Sequence, residues 1–243
     1  MKRLLLPVLL SCLAGSLLNG CGTAPAVPEP GPGSLIDVAG IRKENDSMIA
    51  LVKQGLQEGD LLLRNGKDFS SEQVKDMSRE DKAYSHGGIV VLDSGQWKVY
   101  HVEPDFFYIQ DKVRKEPVDS FLNSAHNYGF AHARYQLDST EKRRFLDYLE
   151  TQYRNKVSFD MSFDLKTDDK MYCSEMIRKG LLSATKGKIQ IGIQRLNDKR
   201  KYKIIKQYFK VPEKRFVNME IIPIDRLYLN PACTLLNRYT YRQ

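Results

Sequence analysis

The sequence predicts an α+β domain in which a small antiparallel, barrel-like sheet packs against helices on one side. Three observations carry this. Tyr84 to Leu92 and Trp97 to Glu103 read as two strands joined through the turn signal Asp93-Ser94-Gly95-Gln96. Asp138 followed by Glu141 marks a capped helix start. The run opened by Cys173 repeats apolar residues at helical spacing, with Met176, Ile177, Gly180 and Leu181.

Taken in order, Met1-Lys2-Arg3 is a positive n-region and Leu4 to Leu18 is an apolar stretch too short to span as a mature helix. Leu18-Asn19-Gly20-Cys21 resembles a bacterial lipobox, which implies a signal peptide over residues 1–20 and diacylation of Cys21. Residues 21–33, rich in Pro, Gly and Ala, read as a flexible tether. Gly rather than Asp at residue 22 resembles the Gram-negative sorting signal for the outer membrane. No later apolar run is long enough to span a bilayer.

Residues 34–243 suffice for one domain with a full core. Ser34 to Gln57 has helical spacing, Asp60 to Arg64 is a strand, and the polar stretch Asn65 to Ala83 holds a helix start at Ser70-Ser71-Glu72-Gln73. That stretch precedes His86 and is read either as a lid or as a surface connection. Pro104 to Gln110 is aromatic, with Phe106, Phe107 and Tyr108. Val113 to Val118 and Phe130 to Tyr135 are strands, with a short helix at Val118 to Leu122 between them. The Asp138 helix runs to about Arg154 and the Cys173 helix to about Leu182. Lys188 to Ile193 alternates like a strand, Lys199 to Phe209 reads as a helix, and Asn218 to Tyr228 gives a last strand and turn before Pro231 to Gln243 closes over the domain.

The formal charge is +8, or +6 without Lys2 and Arg3, and Lys186 to Arg215 carries most of the excess. A basic, exported chain faces anionic lipid, wall polymer or sugar, and nucleic acid is an unsuitable partner there. Once Cys12 leaves with the signal and Cys21 is lipidated, Cys173 and Cys233 remain, and no paired-cysteine metal spacing exists. A Cys173–Cys233 disulfide is the structural alternative to a reactive Cys173.

Cys173 falls in the first turn of its helix, where unpaired N–H groups and the helix dipole favour a thiolate. A turn centred on Ser94-Gly95 sets residue 86 across from residue 103, with Cβ atoms about 5 Å apart. Glu103 then orients His86, giving a base with its carboxylate. His101 points to the same face and is the alternative orienting residue, since a one-residue shift of the turn pairs it with His86. His86, His101 and Cys173 lack a fourth ligand for zinc, so no metal or other cofactor is expected.

Tyr84-Ser85-His86-Gly87-Gly88-Ile89-Val90-Val91, a glutamate in the next strand, and Tyr172-Cys173-Ser174-Glu175-Met176-Ile177 together resemble the YiiX-type family of circularly permuted papain-like enzymes, relatives of the NlpC-type cell-wall peptidases. Glu58 to Leu63, Val157 to Asp160 with Phe163-Asp164, and Ile222 to Tyr228 resemble further family segments, so the likeness runs from about residue 55 to the C-terminus. Gly87 departs from the family, which more often has an apolar residue there. The resemblance implies a permuted papain-like fold and a thiol hydrolase, amidase or peptidase, acting through Cys173, His86 and Glu103. It implies an amide substrate: a peptide, a cell-wall fragment or an amino-acid conjugate. Lipid-directed acyl hydrolysis or transfer is the enzymatic alternative, and a surface lipoprotein that binds ligand without turnover is the non-catalytic one. The oligomeric state is not encoded in any motif.

Overall fold

The computed structural model describes residues 37–104, 111–196, 202, 206, 211–216 and 219–243. Six antiparallel strands form one sheet: β1 (Leu61–Gly66), β2 (His86–Asp93), β3 (Gln96–His101), β4 (Arg114–Pro117), β5 (Asn127–Tyr135) and β10 (Cys233–Thr240). Their order is β10-β5-β1-β2-β3-β4. The sheet is open, with β10 and β4 as its edges, and does not close into a barrel. Two short pairs stand apart, β6 (Ser158–Phe159) with β7 (Lys170–Met171) and β8 (Gln194–Leu196) with β9 (Met219–Ile221).

Leu61, Leu62 and Leu63 of the central strand are all fully buried, so apolar layers cover both faces of the sheet. Leu61, Leu63, Ile89 and Tyr100 pack on α4 (Ser139–Arg154) and α5 (Cys173–Ala184) through Phe145, Leu149, Met176 and Ile177. Leu62, Val90, Val99 and Phe130 pack on α1 (Val38–Gly55) and α3 (Val118–Phe121) through Ile49, Val52, Val118 and Phe121. The helices therefore lie on both sides of the sheet, not on one. Period-2 strands expose this second apolar set, and the leading helix is the element that covers it.

The caps follow local chemistry. Asp138 and Glu141 form the expected capping box on α4. Asp68, rather than a serine, caps α2 (Phe69–Met77) by accepting the Ser71 N–H. Near the other end of the chain, Asn45 of α1 clasps Arg242 twice: its Nδ2 donates to the Arg242 carbonyl and its Oδ1 accepts the Arg242 N–H, each at 3.0 Å.

Two expectations are corrected. Residues 188–193 form no strand; Ile189 and Ile191 alternate because both are buried while Ile193 is exposed, and ladder pairing starts only at Gln194 with Ile221. Pro231 to Gln243 does not fold over the domain but adds β10 alongside β5. The aromatic stretch at 106–108 and most of the helix expected over 199–209 lie outside the described residues. Among the described residues no helix is long and apolar enough to cross a membrane.

The β2–β3 turn sets the register. Ser94 (φ 53°) and Gly95 (φ 78°) both adopt the left-handed region that a two-residue type I′ hairpin requires. Asp93 pairs with Gln96 and Ile89 with Tyr100. Continued along the strands, that register sets Gly88 opposite His101 and His86 opposite Glu103. A Cβ on Gly88 would lie 2.4 Å from Val99 Cγ1 and 3.1 Å from His101 Cβ. Gly88→Ala is expected to lose about 1–3 kcal/mol by overpacking. A lower urea midpoint with unchanged slope checks it.

Candidate active site

Cys173 opens α5 and is held from three directions. Its neighbours grip one residue: Tyr172 Oη accepts the Ile222 N–H at 2.9 Å, and Ser174 Oγ donates to the Ile222 carbonyl at 2.5 Å. The thiol accepts backbone N–H groups of Gly87 and Ser174. The residue next to His86 in sequence thus touches the cysteine directly. Burial pushes the Cys173 thiol up to about 11, against those two N–H groups. Desolvation thus opposes the thiolate that a helix N-terminus favours.

His86, His101 and Glu103 come from the other side. His86 and His101 both contact Phe121, in the layer between the sheet and α1 and α3. Cys173 sits with the α4–α5 layer, and both it and His86, the first residue of β2, line one cleft. His86 Nε2 and His101 Nδ1 share a buried hydrogen bond of 3.0 Å. Glu116 Oε2 lies 2.9 Å from His101 Nε2, off the line of a straight N–H bond. Burial first, then the Arg64 charge, lowers the His86 pKa well below the ordinary imidazole value; burial lowers that of His101 too, against Glu116.

Glu103 stands where the register sets it, yet its carboxylate is 3.9 Å from His86 Nε2. Arg64 Nη2 and Arg114 Nη2 each hold one of its oxygens. Burial would raise its pKa, but Arg64 foremost, with the histidines and Arg114, holds it well below the usual carboxylate range. Sequence reasoning did not assign Arg64, Arg114 or Glu116. The alternation of β1 and β4 would have exposed them, had their registers with β2 and β3 been legible.

Among the described residues, His86, His101 and Glu103 bring donor atoms within 4.8 Å of one another, the one such group. They do not fit a dication: the two imidazoles are joined in a hydrogen bond, and two guanidinium groups already neutralise the carboxylate.

Cys173, His86 and Glu103 line one cleft of about 380 Å³. Arg64 and Arg114 line it, as do Val74 and Met77 of α2 and the apolar Ile221 and Ile222. The stretch between β1 and β2 thus forms a wall of the cleft. Cys173 and Cys233 are both free thiols. Cys21 lies outside the described residues.

A family model described as permuted papain-like amidase enzyme, YaeF/YiiX, C92 family, matches residues 55–211. The crystal structure of the metalloprotein yiiX from Escherichia coli O157:H7 superimposes with a TM-score of 0.59, covering 75% of this chain and 97% of that one at 18% identity. That likeness bears on the fold alone. No curated protein matches the chain.

Proposed function

Because this chain belongs to the C92 family of permuted papain-like amidases, we propose that it is a cysteine hydrolase that cleaves an amide bond through Cys173, with His86 as base and His101 orienting it. The observation that carries this is the convergence on one cleft of a thiol at a helix start and of His86, whose imidazole is hydrogen-bonded to buried His101. His86 Nδ1 removes the proton from the Cys173 thiol as sulfur attacks the carbonyl carbon. The Cys173 backbone N–H faces the developing oxyanion. His86 returns the proton to the leaving nitrogen, the C–N bond breaks, and a thioester remains. Water, deprotonated by His86, then releases the acid and restores the thiol.

Glu103, expected as the orienting group, acts instead through charge, since Arg64 and Arg114 occupy its oxygens. Although yiiX is described as a metalloprotein, the donor set here supports metal-free thiol chemistry. A cleft lined by both apolar and charged side chains supports a peptide, cell-wall fragment or amino-acid conjugate as substrate. The sequence-based proposal that Cys21 is lipidated and tethers the chain to the outer membrane is checked by Cys21→Ala, which should release the chain from membranes.

The test is acid-quench mass spectrometry of the chain mixed with stem-peptide fragments, N-acyl amino acids and lipid esters. A thioester on Cys173 from the amides supports the reading. Adducts from lipid esters alone favour lipid-directed chemistry, and binding without any adduct favours a ligand-binding protein.

The titrations give a further expectation. The reactive pair is neutral imidazole with thiol; a lowered His86 pKa keeps the base free below pH ~6.5, and a thiol near 11 stays protonated well above neutrality. The kcat/KM profile should therefore be a plateau from about pH 6 to about pH 9, with no acid limb at the ordinary imidazole pKa.

A further inference from the structure

We infer that Glu116, through His101, fixes the tautomer that makes His86 a base toward the cleft. The inference deepens the hydrolase reading but is read from the rings alone. It begins with His101 Nε2, which is buried and has Glu116 Oε2 at 2.9 Å. Two lone-pair atoms do not sit that close in a buried site, so Nε2 carries the proton. A neutral His101 then has a bare Nδ1. That nitrogen is 3.0 Å from His86 Nε2, which must donate to it. His86 is left with a bare Nδ1, the nitrogen that can take a proton from a thiol.

The sheet makes this relay easy to build. Each step is one diagonal across neighbouring strands. His101 is two residues short of the position opposite His86, and Glu116 is two residues beyond Arg114, the partner of His101. Diagonal neighbours are within reach of long side chains. Phe121 packs against both rings, and both histidines are buried. The competing anion, Glu103, is committed to Arg64 and Arg114, so Glu116 is the carboxylate in contact with the dyad. Glu116 is a positioning residue, since it reaches the reacting atoms only through two imidazoles.

The test is a long-range 15N–1H spectrum of the full-length chain with 15N-labelled histidine, in which only four histidines contribute. In the unaltered chain His86 should show a protonated Nε2 and a bare Nδ1, and His101 the same. Glu116→Leu should shift both rings toward the opposite tautomer and slow acylation of Cys173 about 10-fold or more. Glu116→Gln, whose carbonyl can still accept from Nε2–H, should keep the original tautomers. A protonated Nδ1 on His86 in the unaltered chain overturns the relay, as do unchanged ring signals in folded Glu116→Leu. If Glu116→Leu does not fold, the unaltered spectrum alone decides. An inert Cys173 beside the expected tautomers would sink the hydrolase reading and leave the relay standing.

Discussion

Cys173→Ala is expected to abolish turnover, lowering kcat by roughly 10⁴-fold or more, because the thioester cannot form without the sulfur. The structure separates this loss from unfolding. Cys173 is small and its thiol accepts only the Gly87 and Ser174 N–H groups, so the alanine variant should lose about 1 kcal/mol. The grip of Tyr172 and Ser174 on Ile222 survives, which preserves the start of α5. Single-turnover kinetics beside a melting curve checks both halves. A large fall in melting temperature would mean that the thiol is a core residue first. His86→Ala should cost roughly 10²–10⁴-fold on the same substrate. His101→Ala should cost more than Glu103→Ala, since of the two only His101 hydrogen-bonds to His86.

Asp225→Ala should have the largest effect on stability. This carboxylate opens α6 (Asp225–Tyr228) and is fully buried. Its Oδ2 accepts the N–H groups of Arg79, Glu80 and Asp81 at 3.1, 2.9 and 3.4 Å. Alanine leaves three backbone donors and no acceptor, a cost of about 3 kcal/mol. For a domain of this size that is a fall of roughly 6–12 °C in Tm. The same segment follows α2, whose Val74 and Met77 wall the cleft, so KM should rise as well. Asp225→Asn, which keeps one acceptor oxygen, should fall between the two. A variant that melts like the unaltered chain would mean that water or another group satisfies those donors.

What could be read in the sequence depended on how far apart the cooperating residues lie. Ser94-Gly95 fixes the β2–β3 register within ten residues of His86, so His86 could be set opposite Glu103 by counting alone. In the fold Glu103 takes that position, with its carboxylate held by Arg64 and Arg114. Arg64 and Arg114 arrive on strands whose registers depend on long-range pairing, and a guanidinium outbids a neutral imidazole for a carboxylate. Glu116 was hidden for the same reason. The Asp138 capping box and the Cys173 helix were legible because each is specified within one turn of chain. The Cys173 titration was not, because helix position is local whereas burial is a property of the whole fold. Strand β10 escaped notice since its side chains are mostly exposed and a register shift between Leu235 and Asn237 interrupts its alternation.

The clasp between Asn45 and Arg242 links residues 197 apart. Loops of that length close slowly, since their entropy must be lost before the contact forms. A growing chain makes α1, then the imidazole pair, then the cysteine, and only afterwards Ile222, Asp225 and β10. Cys173 is therefore synthesised before Ile222, the residue that its two neighbours grip. Until that last stretch has been made, a nascent chain carries the thiol without the contacts that hold the start of α5.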